Sequence, residues 1–328
     1  MHRMKRREFV AGLAGAALAS PFKTYAQPAP KPIRLGWLST IAKGEFGQFI
    51  AAFREGMAAL GYVEGRTLTL DERWDETVAG AERNAAELAA LKPVAIVTAG
   101  TALRAAARHA ATVPVIFGAS GNPVDSGIAA SFAKPDRNMT GMSFMALDLV
   151  GKRIQFLKEV LPGIRRLAVL SNQLHTGEPR EYAVTRDAAD RLGLALSYHP
   201  FKGAPEIEKA LVEVLAANAD AGVVFPDSSM MGRANTFAEF SVRHRIPLIS
   251  GWAAFADGGN LLSYGPDLRA CWKRIAYFVD RVARGTKVAD LPIELPTTVE
   301  MVINLRTAKA LGLTIPQSLL LRADRVIE

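Results

Sequence analysis

Hydrophobic positions along this chain alternate between two periods. Short apolar runs closed by small or polar residues read as buried strands. Longer stretches with apolar residues every three or four positions read as helices. In order, the pattern predicts a strand over 33–39 and a helix over 47–60. That helix carries Phe49, Ile50, Phe53, Met57 and Leu60 on one face and stops at Gly61. A strand over 67–74 and a helix over 78–91, ended by Pro93, come next. The strand 94–97, an alanine-rich helix 102–111 and the strand 113–117 complete a first series. Asn122-Pro123 marks a turn, and 138–144 reads as an extended crossover. The second series predicts helices over 149–161, 179–192, 205–217 and 234–244, with strands over 167–170, 194–198, 222–225 and 247–250. Residues 261–266 read as a crossing back. The amphipathic helix 267–284 then follows, with Leu268, Trp272, Ile275, Ala276, Val279 and Val282 on one face. The stretch 291–311 reads as a proline-punctuated crossing and an edge strand, with a helix-like segment at 307–311. Strands alternating with helices throughout argue for parallel sheets covered on both faces.

The second series echoes the first roughly 130 residues later. Ile33–Thr40 (IRLGWLST) resembles 166–172 (RLAVLSN), and VAIVTAGTAL at 94–103 has a counterpart in AGVVFPDSSM at 221–230. His109 with Pro114 and Gly118 is matched by His244 with Pro247 and Gly251. A long period seen twice implies two similar lobes, not a solenoid. The expected architecture is α/β, with two Rossmann-like parallel-sheet lobes joined by a hinge and a ligand cleft between them. The expected lobes are 31–145 with 262–290, and 146–261 with 291–328. Such sheets bind ligands beyond the carboxyl ends of their strands, so two sets of loops should face one cleft.

The stretch 94–103 is the centre of that expectation. A buried strand, the small residues Thr98, Ala99 and Gly100, and Thr101 at a helix start together suit an anion. The first helical N–H groups lack intrahelical partners, and the dipole places partial positive charge there. Other small polar residues fall at strand ends: Ser39, Thr40, Ser120 and Asn122 in the first lobe, and Asn172, Asp227 and Ser228 in the second. Hydroxyls and helix-start N–H groups suit a carboxylate, Asp227 suits an ammonium, and Trp252 would cover an apolar portion. Each residue also has an ordinary role in caps and turns.

Composition narrows the picture. With 49% hydrophobic and 22% charged residues, the chain is globular, and 328 residues allow two full-sized domains. The formal charge is +8, half of it in the first 26 residues. No basic run interleaves with aromatics, so no nucleic-acid partner is expected. Lys5-Arg6-Arg7-Glu8-Phe9-Val10, followed by a mildly apolar Gly/Ala run, reads as a twin-arginine export signal over 1–26, with the general secretory route as the alternative. Cleavage is expected after Ala26 or Ala19. The signal holds no cysteine, so a lipoprotein is not expected. The one cysteine, Cys271, reads as a packing residue. No phosphate loop, dinucleotide fingerprint, H-E-x-x-H or G-x-S-x-G motif occurs. The five histidines show no metal-ligand spacing, and Ser131-Phe132-Ala133-Lys134 lacks the partner motifs its S-x-x-K pattern needs. No catalytic residue, metal or cofactor is expected.

Several runs together carry a family resemblance: Phe53-Arg54-Glu55-Gly56, 60–65 (LGYVEG), Arg73-Trp74, Gly100-Thr101-Ala102-Leu103, Pro114-Val115-Ile116-Phe117, Asn138-Met139-Thr140-Gly141, Ser263-Tyr264-Gly265-Pro266, 291–296 (LPIELP) and 302–313 (VINLRTAKALGL). From about Ile33 to its end, the chain resembles the tryptophan/tyrosine-type substrate-binding proteins of ABC transporters, within the type I periplasmic binding-protein fold. The resemblance implies a monomeric, non-enzymatic periplasmic receptor. It would close on a small solute, an amino acid or related carboxylate including aromatic ones, and deliver it to the transmembrane subunits of an ABC permease. It also implies that the loop at Thr101 holds the carboxylate and an acid near Asp227 holds the ammonium. The competing readings are an exported hydrolase-like enzyme on a two-lobed scaffold, since fold alone does not decide function, and a ligand-sensing domain.

Overall fold

Two runs with no polar side chain larger than threonine, Ala95–Ala99 and Val115–Ala119, are buried at every position and form the middle of a five-stranded parallel sheet. The computed structural model describes residues 31–100, 102–135, 137–175 and 177–328. The stretch 1–26 expected to be an export signal, and Thr101, therefore lie outside the described residues. Within Pro32–Glu328, one compact unit, the first sheet is built from β1 (Ile33–Ser39), β2 (Leu68–Trp74), β3 (Ala95–Ala99), β4 (Val115–Ala119) and β5 (Met139–Ser143), in the order β2-β1-β3-β4-β5. Its helices are α1 (Lys43–Ala59), α2 (Val78–Ala90) and α3 (Ala102–His109). Thr77 starts α2, its hydroxyl accepting from the Gly80 N–H at 3.0 Å. Gly100 turns the end of β3 towards α3 with φ of 63°, a conformation that suits glycine.

The second lobe runs α4 (Val150–Val160), β6 (Arg166–Asn172), α5 (Glu178–Arg191), β7 (Ala195–Phe201), α6 (Ile207–Ala216), β8 (Ala221–Val224), α7 (Ala234–His244), β9 (Leu248–Ser250), a short α8 (Ala253–Asp257) and β10 (Leu262–Pro266). After α9 (Leu268–Ala283) come β11 (Val299–Asn304), α10 (Leu305–Leu311), α11 (Gln317–Leu320) and β12 (Arg325–Ile327). The seven-stranded sheet has the order β12-β11-β10-β9-β8-β6-β7, parallel except where β10 meets β11.

The structure corrects three expectations from the hydrophobic pattern. Residues 138–144 do not merely cross over, because β5 pairs with β4 as a full edge strand. Residues 262–266 stay in the second sheet, since Leu262 and Ser263 pair with β9 and all five residues pair with β11. The crossing falls instead at Pro266-Asp267, where Asp267 caps α9 by accepting from the Ala270 N–H at 3.0 Å. Helix α9 then packs along α1, burying Trp272, Ile275 and Cys271. The next segment lies along the first sheet. Ile293 donates to the Phe132 carbonyl, Glu294 to Gly141, and Ser143 to Glu294. The first lobe is therefore 33–143 with 267–294, and the chain returns through 295–298. Strand β11 is internal, and the edge belongs to β12.

Candidate functional site

The carboxyl ends of both sheets face one cavity of about 560 Å³, within the usual range of about 300–1,000 Å³ for small-ligand sites. From the first lobe, Thr40 follows β1, Gly100 follows β3, and Ser120, Gly121 and Pro123 follow β4. Val78 and Glu82 come from α2, and Leu103, Arg104 and Arg108 from α3. The second lobe supplies Asn172 at the end of β6, Leu174 and His175 just after it, Gly203 and Ala204 after β7, and Asp227, Ser229 and Met230 after β8. Much of the wall is aliphatic.

Asp227 is its electrostatic centre. The side chain is 6% exposed. One oxygen accepts from Asn172 Nδ2 at 2.6 Å and from the Ser229 hydroxyl at 2.9 Å, and the other accepts from the Ser229 N–H at 3.0 Å. Three neutral donors hold it, and no cation pairs with it among the described residues. A carboxylate has room for about four hydrogen bonds, so a further donor from a ligand fits. Asn172 fixes this geometry. Its Oδ1 accepts from the N–H groups of Leu174 and Gly203, each at 3.1 Å, so one amide ties the ends of β6 and β7 to Asp227.

Cations on the opposite lobe are partly spoken for. Glu82 pairs with Arg108 and reaches His109 Nε2 at 2.7 Å. Arg104 is exposed beside them. The backbone packs closely where the lobes meet: a Cβ on Gly177 would fall 2.1 Å from Met145 Cε, 2.9 Å from His175 Cε1 and 3.3 Å from Gly121 Cα, so the Met145 and His175 side chains would have to shift.

Of the residues expected at the site, the cavity gathers Thr40, Gly100, Ser120, Asn172 and Asp227. Four others do not line it. Ser39 is fully buried, its Oγ accepting from the Ile41 N–H at 3.0 Å to shape the turn after β1. Asn122 accepts from the Val124 N–H at 2.9 Å and forms a turn of its own. Ser228 is buried in the first turn after Asp227, and its neighbour Ser229 takes the place facing the cavity. Trp252 is 1% exposed and packs in the core at the start of α8, outside the cavity lining. Leu174, His175 and Met230 were missed. They sit two to six residues beyond strand ends, where an apolar or histidine residue carries no local signal of its direction. Ser197, His199 and Glu213 do align, with Ser197 Oγ 2.8 Å from His199 Nε2 and Glu213 4.0 Å from Nδ1, but none of them lines the cavity.

Two lobes of mainly parallel sheet, three crossings and a cleft at the strand ends define a bilobal ligand-binding architecture. Residues 46–327 match the model of the family described as ABC transporter substrate binding protein, so the chain belongs to that family. A tyrosine-binding protein of Clostridioides difficile (strain R20291) is 22% identical over 202 residues, covering 61% of this chain and 57% of that relative. The match thus spans a little over half of the curated relative's length. Among solved structures, the fold is similar to an ABC domain in complex with L-Trp from Streptococcus pneumonia, with TM-score 0.83, 21% identity, and coverage of 90% of this chain and 100% of that one. It is also similar to ligand-free, open CD0873, a substrate-binding protein with adhesive properties from Clostridium difficile. There the TM-score is 0.69 and the identity 17%, with 90% of this chain and 99% of that one covered.

Proposed function

We propose that this protein is the periplasmic receptor of an ABC importer and binds a zwitterionic amino acid between its lobes. The observation that carries the reading is Asp227, a buried carboxylate lining the cavity with three neutral donors and no counter-cation among the described residues. An α-ammonium would supply the missing charge. The ligand carboxylate would go to the first lobe, at the opening turn of α3 and Thr101, where helix N–H groups favour an anion. The two charges of one ligand would then tie the lobes together. Transfer to the transmembrane subunits of a permease, and export through the twin-arginine signal, complete the proposed role. No bond in the solute need be made or broken. The relatives said to bind tyrosine and L-Trp support an amino acid as ligand.

The test is calorimetry with the twenty L-amino acids, preceded by native mass spectrometry to identify any co-purified solute. Wild type should bind at least one of them, and Asp227→Ala should weaken that binding by about 2–5 kcal/mol, or roughly 30- to 4,000-fold. Binding within about twofold of wild type would remove the ammonium from this position.

A further inference from the structure

The charged side chains that line the cavity do not cancel in place. The first lobe brings Glu82, Arg104 and Arg108 to it, and the second brings Asp227. Glu82 is answered within its own lobe, by Arg108 on one oxygen and by His109 Nε2 at 2.7 Å on the other. Asp227 is held by neutral donors alone. Arg104 is exposed and has no ion pair or hydrogen bond among the described residues. One cation is therefore left over on α3, and one anion on the opposite lobe.

Helix geometry directs that cation to the ligand. Arg104 is the third residue of α3, which begins at Ala102. It stands in the opening turn, at the end of the helix that follows Gly100 and the strand tips. Long side chains on a helix lean towards its N-terminus, and here that is the cavity end. Arg108 lies one turn on along the same face. Its pairing with Glu82 keeps the one nearby acid that lines the cavity from neutralising Arg104. An exposed guanidinium is open to an arriving solute and has no buried partner to displace. Its fixed fork of N–H groups matches the two oxygens of a carboxylate.

We propose that Arg104 is a specificity-determining residue that receives the α-carboxylate of the bound amino acid and selects it over an amide at the same position, peptides included. The inference rests on the proposed amino-acid reading, in which Asp227 takes the ammonium. Helix N–H groups at the start of α3 supply hydrogen bonds, and Arg104 supplies the full opposite charge. An amide in that place would have the cleft close over a guanidinium with no anion to meet it, and desolvation of the unpaired charge sets the discrimination.

The probes are the twenty L-amino acids and their α-carboxamides, titrated by calorimetry at about pH 6, where the α-amino group is protonated in both. Wild type should bind at least one amino acid about 10-fold or more tighter than its amide. Arg104→Ala should weaken binding of that acid by about 10-fold or more and of the amide by no more than about twofold. Arg104→Lys, which keeps the charge without the fork, should retain part of the preference. Because the side chain is exposed, neither substitution disturbs packing. Equal losses for acid and amide in Arg104→Ala overturn the role of Arg104, as does an acid affinity within about twofold of wild type, and both leave the amino-acid reading standing. Failure of wild type to bind any amino acid overturns that reading, and the role of Arg104 falls with it.

Discussion

At the residue scale, the candidate site is a chain of dependencies rather than a set of equal contacts. Asp227 stood out in the sequence because it follows a fully apolar strand, three residues beyond Val224 and just after Phe225-Pro226. Its neighbours Asn172 and Ser229 matter through Asp227, by aiming and satisfying it. Trp252 shows the limit of such reading. Position along the chain was inferred correctly, but the direction of a ring is settled by packing, and here the ring is drawn into the core. Behind the site lies a second buried charge. Arg153 on α4 donates to Glu181 on α5 at 2.8 Å and to the Tyr264 carbonyl at 2.8 Å, with the two charged side chains 2% and 6% exposed. Burial disfavours both charged forms, pushing the Arg153 pKa down and the Glu181 pKa up. Only their mutual pairing makes the arrangement tolerable. Glu181→Ala should therefore cost about 3–5 kcal/mol of stability by leaving the Arg153 guanidinium unpaired. Chemical denaturation of the ligand-free protein measures this, and a loss below about 1 kcal/mol would mean that water reaches the pair.

At the element scale, the alternation of strand and helix could be read almost throughout because the parallel strands are continuous apolar runs and the helices carry a clear apolar face. The crossings could not be placed as well. Residues 262–266 read as a connector because glycine and proline interrupt the pattern, yet pairing on both sides keeps them in the sheet. This hinge region carries its own electrostatics. Glu300 on β11 lies opposite Gly265 on β10 and lines a cleft of about 450 Å³ with Asp257, Asp267, Arg269, Lys273 and Arg325. Burial, with the carboxylates of Asp267, Asp257 and Asp324, outweighs Arg325 and pushes the Glu300 carboxyl up to about 7. The folded chain thus holds this proton more tightly than the unfolded chain. Stability should fall as pH rises from about 5 through 7, and recover as pH is lowered. Glu300→Gln removes the charge, so its melting temperature should exceed that of wild type at pH 8 and approach it at pH 5. A wild-type excess at pH 8 would show that the ionised carboxyl is stabilised there.

At the scale of the whole molecule, the lobes touch on both flanks of the cavity. On one side Gly232 lies against the Glu45 carboxyl, which would have to swing away to admit a Cβ. On the other, Arg180 of α5 pairs with Asp125, donating from Nη2 to Oδ1 at 2.7 Å. The Asn122 turn, expected to contact ligand, instead shapes the loop that brings Asp125 to that pair. The pair is a weak latch. Its side chains are 56% and 27% exposed, and exposed ion pairs contribute about 0–1 kcal/mol. Closure should therefore depend on ligand, with the latch trimming the rate of release. Arg180→Ala should weaken ligand binding by no more than about fivefold, through faster dissociation, and the difference should shrink as salt screens the pair. Small-angle scattering of wild type should show a smaller radius of gyration with ligand than without, as hinge closure around a cleft requires. A 100-fold loss of affinity in Arg180→Ala would assign the joining of the lobes to this surface pair and take it from the ligand bridging Asp227 and α3.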